Sequence, residues 1–122
     1  MAKKILIVDD SPSVLAILED MLVDAGYDVV AAADGQEALN KVDQDVFDLI
    51  ITDLTMPVMD GIEFMQEAKS RPNCKFVPIV MLSSEEDSDK IAEAKKSGAS
   101  TFLRKPFKES QLIAILRVVL GN

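Results

Sequence analysis

Phe47-Asp48-Leu49-Ile50-Ile51-Thr52-Asp53-Leu54-Thr55-Met56-Pro57 is the stretch that decides how this chain reads. Its apolar run predicts a strand from Phe47 to Thr52, closed by the carboxylate of Asp53. Three other apolar runs end in the same manner. Lys4-Ile5-Leu6-Ile7-Val8 stops at Asp9-Asp10, Val77-Pro78-Ile79-Val80-Met81-Leu82 stops at Ser83, and Ser100-Thr101-Phe102-Leu103-Arg104 stops at Lys105-Pro106. Three carboxylates, a hydroxyl and an ammonium group therefore close four predicted strands. If those strands lie parallel in one sheet, all five groups meet at one edge. Such a set suits a site that binds a divalent cation and handles a phosphoryl group.

Helical patterns fill the intervals. Ser11-Pro12 predicts an N-cap followed by proline at the first helical position, and Val14, Ile17, Leu18, Met21, Leu22 and Ala25 recur at helical spacing until Gly26. Asp28 to Ala32 reads as a short second strand. Asp34-Gly35-Gln36-Glu37 and Asp60-Gly61-Ile62-Glu63 are capping-box patterns that open helices two and three, helix two running to about Val42. Strand four is expected from Phe76 to Leu82. Ser84-Glu85-Glu86-Asp87 signals a helix from about Asp87 to Lys96, with its acids favourably placed for the helix dipole, and Ser97-Gly98 closes it. Strand five covers Ser100 to Leu103. Leu112, Ile113, Ile115, Leu116 and Val119 mark helix five, which ends at Gly121.

Five strands alternating with five helices predict an α/β fold, a doubly wound five-stranded parallel sheet. Strands one, three and four, the continuous apolar runs, should be central, and the shorter, more polar strands two and five should be edges. The 122 residues suit one domain spanning 1–122, and no linker, repeat or low-complexity segment interrupts it. No further segment follows helix five, so no attached output domain is expected.

Composition narrows the function. Hydrophobic residues make up 48%, enough for a core, and no apolar run reaches the length of a membrane span. Met1-Ala2-Lys3-Lys4 leads straight into a strand and not into a signal peptide, which makes the cytoplasm the expected compartment. A net charge of −8, from 21 acidic and 13 basic residues, opposes binding to nucleic acid and to anionic membranes. With no histidine in the chain, a histidine phosphodonor, a histidine general base and a His-ligated zinc site are all excluded. Cys74 is the single cysteine, so no intrachain disulfide can form, and it reads as an inert loop cysteine.

In a sheet of order 2-1-3-4-5, strand one lies beside strand three, and Asp9, Asp10 and Asp53 face one another. Three carboxylates so close repel unless a cation sits among them, and a hard divalent ion such as Mg²⁺ is the natural partner. Each piece also has an ordinary reading by itself. Asp-Asp before a helix is commonly a cap, an aspartate ending a strand a turn residue, Ser83-Ser84 a helix cap, and Lys-Pro a turn. Chance capping does not account for all four at strand ends on one side.

Taken together, Ile-Val-Asp-Asp at 7–10, Asp-Leu-Thr-Met-Pro at 53–57, Asp60-Gly61, Met-Leu-Ser-Ser at 81–84 and Lys-Pro-Phe at 105–107 resemble the receiver domains of response regulators, in particular stand-alone, CheY-like receivers. The motifs span the whole chain. The resemblance implies a flavodoxin-like sheet of order 2-1-3-4-5. It implies that Asp53 is the phosphoacceptor, attacking a phosphohistidine on a partner histidine kinase. Asp10 and Asp53 would hold Mg²⁺ directly, Asp9 would help through water, and Thr55 would supply its backbone carbonyl. Lys105 and Ser83 would contact phosphoryl oxygens.

The same resemblance implies a switch in which Ser83 moves inward and an aromatic residue on strand five turns into the vacated space. That position is Phe102, where tyrosine is frequent in the family. Without a hydroxyl, Phe102 can switch by packing alone, and it also reads as a static core phenylalanine. Thr55 and Glu85 would flank the phosphoryl group and tune its hydrolysis, and Ser84 stands where a smaller alanine is frequent. A cis Lys105-Pro106 peptide is implied as well. The signal would leave through the face of helix four, strand five and helix five, here Ile91, Lys95, Phe102 and Arg104, an apolar and basic patch. The chain would act on no external substrate and only promote its own phosphorylation and dephosphorylation. It would work as a monomer on a downstream target protein. Chemotaxis with a flagellar-motor target is the first pathway expected, and a phosphorelay intermediate or a kinase-regulating receiver the alternative.

Two other functions compete. An aspartyl-nucleophile phosphatase also combines Asp, Ser or Thr, Lys and Mg²⁺, but needs a second aspartate two residues after the nucleophile, where this chain has Thr55. A flavodoxin-like electron carrier needs a hydroxyl- and glycine-rich phosphate loop after strand one, where Asp9-Asp10-Ser11-Pro12 would repel phosphate. No Gly-x-Gly-x-x-Gly supports dinucleotide binding.

Overall fold

Residues 2–84 and 87–121 are described by the structure, a computed structural model. In chain order the elements are β1 (Lys4–Val8), α1 (Pro12–Asp24), β2 (Asp28–Ala32), α2 (Gly35–Gln44), β3 (Leu49–Asp53), α3 (Gly61–Lys69), β4 (Ile79–Ser83), α4 (Ser88–Ser97), β5 (Thr101–Arg104) and α5 (Glu109–Leu120). All pairings are parallel and the order is β2-β1-β3-β4-β5. The expected doubly wound topology is the one observed.

Alternation along each strand divides the core in two. Leu6, Val8, Ile50 and Met81 face α2, α3 and α4, packing on Leu39, Phe64, Met65 and Ala94. Ile5, Ile7, Leu49, Ile51, Val80 and Leu82 face α1 and α5, meeting Leu18, Leu22, Leu112 and Leu116. β3 and β4 are buried throughout and β1 nearly so, whereas β2 and β5 keep partly exposed positions. Central and edge strands therefore fall where polarity predicted.

The N-caps expected at Ser11, Asp34 and Asp60 form, whereas Asp87 makes no capping bond to its own helix. The Ser11 hydroxyl accepts from the Val14 N–H, and Asp34 and Asp60 accept from the N–H groups of Glu37 and Glu63 at 2.8 and 2.9 Å. The Glu37 carboxylate reaches back to the Ala33 N–H at 2.8 Å, one residue earlier than the usual box. Asp34→Ala is expected to cost about 1 kcal/mol, measured as a lower urea midpoint at unchanged slope.

β4 starts later than its apolar run suggests. Phe76 is 87% exposed, and the strand begins at Ile79. Pro78 has no N–H for the ladder, although its carbonyl accepts from Ile50 at 3.0 Å. β3 likewise starts two residues after Phe47, which is buried but lies outside the ladder. α1 buries a narrower stripe than its periodicity allows, since only Leu18 and Leu22 are fully covered and Ile17 is half exposed. Cys74, in the α3–β4 connection, is packed into the first core, and burial pushes its thiol pKa up, in keeping with an inert cysteine. Among the described residues no helix is long and apolar enough to cross a membrane.

Candidate functional site

Register sets the strand ends level. Val8 pairs with Thr52, Asp53 with Leu82, and Ser83 with Arg104, so the residues that follow β1, β3, β4 and β5 emerge at one edge. Ligands of open parallel sheets bind at this carboxyl edge, where strand order reverses between β1 and β3. Single carboxylate oxygens of Asp9, Asp10 and Asp53 lie within 4.8 Å of one another there.

The three carboxylates are not equivalent. Asp9 is fully buried, one oxygen accepting from the Ser11 N–H at 2.9 Å and the other from the Lys105 ammonium at 2.9 Å. Lys105 also stands 3.3 Å from an oxygen of Asp53. Asp10 is exposed and faces the solvent side of the cluster. Burial, and then the charge of Asp9, push the Asp53 carboxyl up to about 6 from its ordinary 3.8, against the pull of Lys105 and the Thr55 N–H. Burial disfavours a charged Lys105, yet its contacts with Asp9 and Asp53 prevail and its pKa is raised. One ammonium thus faces two buried carboxylates with a third nearby, and the excess negative charge suits a hard divalent cation with oxygen ligands.

The neighbouring loops hold this cluster. Gly61 donates its N–H to the Leu54 carbonyl at 2.8 Å, drawing the start of α3 against the end of β3. Val58 lies at φ 73°, in a three-residue turn closed by the Met59 N–H on the Pro57 carbonyl at 2.8 Å. That turn is strained for a β-branched residue. Ser83 is buried, and its carbonyl accepts from the Lys105 N–H at 2.7 Å. The Lys105-Pro106 peptide is cis.

The sequence presents Asp87 only as a helix-start residue, and its carboxylate does more. Its Oδ1 accepts from the Thr55 hydroxyl at 2.6 Å, and its Oδ2 from the Ser84 N–H at 2.8 Å and the Ser84 hydroxyl at 3.1 Å. The Ser84-x-x-Asp87 spacing could have flagged the local pair. The contact with Thr55 joins residues 32 apart in sequence and left no signal. Glu85 lies outside the described residues.

On the adjoining face, Phe102 is half-buried against the first core together with Ile91, and the Lys95 ammonium lies 5.7 Å from the centroid of its ring. Arg104 is exposed at the end of β5. A groove of about 750 Å³ runs along this face, lined by Phe102, Arg104, Lys105, Gln111 and Ile115 among others. Lys95 and Phe102 thus meet on this face, with Arg104 two residues further along β5 and Ile91 one turn before Lys95 on α4.

The chain is similar to known proteins in sequence and in fold. The profile of the response regulator receiver domain matches residues 5–117. The crystal structure of chemotaxis protein CheY4 from Vibrio cholerae superimposes with a TM-score of 0.93 at 44% identity, over 98% of this chain and 99% of that one. The receiver domain of the sensor histidine kinase PA1611 from Pseudomonas aeruginosa, solved with magnesium in its active-site cleft, aligns over the full length of both chains at 31% identity and a TM-score of 0.92. The chemotaxis protein CheY of Thermotoga maritima is 37% identical over 98% of each chain. The chain spans about half the length of other relatives, as with the transcriptional regulator PhoP of Bacillus subtilis, where 37% identity covers 98% of this chain and 49% of that protein. Sheet order, acidic edge and sequence agree, and the chain belongs to the response regulator receiver domain family of two-component systems, with a CheY-like fold.

Proposed function

We propose that Asp53 accepts a phosphoryl group from a phosphohistidine on a histidine kinase, and that the phosphorylated form signals by binding a target protein. The observation that carries this reading is the meeting of Asp9, Asp10 and Asp53 within 4.8 Å beside the Lys105 ammonium, at the carboxyl edge of a parallel sheet. Asp53 attacks phosphorus, a P–O bond forms, and the P–N bond breaks with its electrons passing to the imidazole. The β3–β4 ladder fixes the position of the nucleophile, and its burial keeps bulk water from competing. Lys105 offers a positive point charge to the incoming phosphoryl oxygens. Ser83, at the end of the neighbouring strand, offers a hydroxyl.

The residues present fit Mg²⁺, with Asp10 and Asp53 as the open carboxylates, the Thr55 carbonyl as a further ligand, and Asp9 acting through water because Ser11 and Lys105 already occupy its oxygens. When bound, the ion neutralises charge on the transferring group and aligns it with the nucleophile. In this reading the chain acts on no external substrate.

Chemotaxis is the pathway we favour, because relatives matched over nearly their whole length include chemotaxis CheY proteins from Thermotoga maritima, Helicobacter pylori and Rhizobium etli. The Ile91, Lys95, Phe102 and Arg104 face would meet the target, with a flagellar motor switch protein as the first candidate. Incubation with acetyl phosphate and Mg²⁺ should add one phosphoryl group by intact mass, with none in EDTA and none in Asp53→Asn. Uptake that persists in Asp53→Asn would place the acceptor elsewhere.

A further inference from the structure

We propose that Asp87 is a positioning residue that shortens the life of the phosphoryl group by keeping the Thr55 hydroxyl proton away from it. The inference rests on the assignment of Asp53 as acceptor.

Asp87 is 5% exposed, and three hydrogen bonds converge on its carboxylate from two loops. One comes from Thr55 on the β3–α3 loop and two from Ser84 on the β4–α4 loop. A carboxylate that takes three donors at these distances is a strong acceptor. The Thr55 hydroxyl has a single proton, and at 2.6 Å that proton is committed to Asp87. The oxygen keeps only lone pairs for any other neighbour. Thr55 follows Asp53 by two residues on the loop that leaves β3, and so lies at the same sheet edge as whatever is built on that carboxylate.

A phosphoryl group on Asp53 presents only acceptor oxygens, so a Thr55 hydroxyl locked in this way cannot bond to it. An attacking water has protons to give and finds an acceptor in the same oxygen. In hydrolysis the water oxygen bonds to phosphorus, and the bond from phosphorus to the Asp53 oxygen breaks with its electrons returning to the carboxylate. Both water protons leave on the released phosphate as H₂PO₄⁻. Freeing the Thr55 proton would let it bond to a phosphoryl oxygen, whose charge is greatest in the ground state when the transition state is loose. It would also remove the acceptor for water. Both effects slow hydrolysis.

The test follows the decay of aspartyl phosphate by intact mass, after acetyl phosphate is removed, in wild type, Asp87→Ala, Thr55→Val and the double variant. Circular dichroism checks that each is folded. Asp87→Ala should decay about threefold to tenfold more slowly than wild type, the rate equivalent of one hydrogen bond. In the Thr55→Val background the same substitution should change nothing, an interaction that a merely structural role for Asp87 would not produce. Asp87→Asn preserves the volume and should act in the same direction, its amide oxygen taking the Ser84 donors and leaving an NH₂ toward Thr55. Equal or faster decay in both Asp87 variants overturns the proposal, as does a full effect of Asp87→Ala without the Thr55 hydroxyl. Failure of the wild type to take up any phosphoryl group overturns the assignment of Asp53 and this inference with it.

Discussion

Gly61→Ala is expected to destabilise the protein by about 2–3 kcal/mol, as strong overpacking does, and to displace the phosphoacceptor. A Cβ at this position would collide with the Asp53 carbonyl oxygen and sit 3.0 Å from the Leu54 Cα. Both are backbone atoms, so no side-chain rotation relieves the contact. Gly61 is held in place by its N–H bond to the Leu54 carbonyl and by the start of α3. The end of β3 must therefore shift, and Asp53 with it. Urea unfolding followed by circular dichroism would give the loss in stability, and the rate of phosphoryl uptake would fall in the same variant. Gly26→Ala is a fitting control, since its Cβ would meet nothing within 4 Å and only its φ of +96° is at issue. Equal midpoints for wild type and Gly61→Ala would mean that the β3–α3 junction yields freely.

Lys105→Met and Asp53→Asn are expected to move stability in opposite directions when metal is chelated. The Lys105 ammonium is 2.9 Å from the fully buried Asp9 and 3.3 Å from Asp53. Its loss leaves two buried carboxylates facing one another, and breaking a buried pair in this way costs about 3 kcal/mol or somewhat more. Asp53→Asn removes the mutual repulsion and should gain up to about 3 kcal/mol at pH 7.5, reduced by the solvent screening of a partly exposed group. The sign follows from the shift. The Asp53 carboxyl is raised from 3.8 to about 6 in the native state, so its charge costs stability fully above pH 6. The gain from Asn should shrink as the pH falls through that value and vanish below about 4, where both states carry the proton. Added Mg²⁺ should restore much of the loss in Lys105→Met and raise wild type above Asp53→Asn, because a ligand of the native state stabilises it by mass action. Thermal melts of the three proteins in EDTA and in Mg²⁺, across this pH range, provide the check. A stabilised Lys105→Met in EDTA would contradict the electrostatic account.

Much of the architecture was written locally. Ser11-Pro12, Asp34 and Asp60 announce three helices through side chains that bond to their own first turn, and such signals survive in any tertiary setting. Apolar continuity marked β3 and β4 as central because burial on both faces leaves no polar alternation. The strand order was another matter: it rested on resemblance, and no residue spells it out. Phe76 misled, as hydrophobicity alone carries no information about where the proline at position 78 lets a ladder begin. In the Asp60-Gly61 pair the local pattern points only to the aspartate. Its glycine is needed for room and not for a special φ, a demand set by Asp53 in another element. Asp87 is the same kind of case, its partner Thr55 lying beyond the reach of any local pattern.

The lone thiol of Cys74 has a use that its chemistry alone would not suggest. It is buried within the α3–β4 connection, at the edge of the sheet opposite Asp53. An alkylating reagent reaches it only when that region opens, so its labelling rate under native conditions counts local openings. The molecule thereby carries a built-in clock at one end of its central strands. Events at the other end can be timed against it without adding any probe.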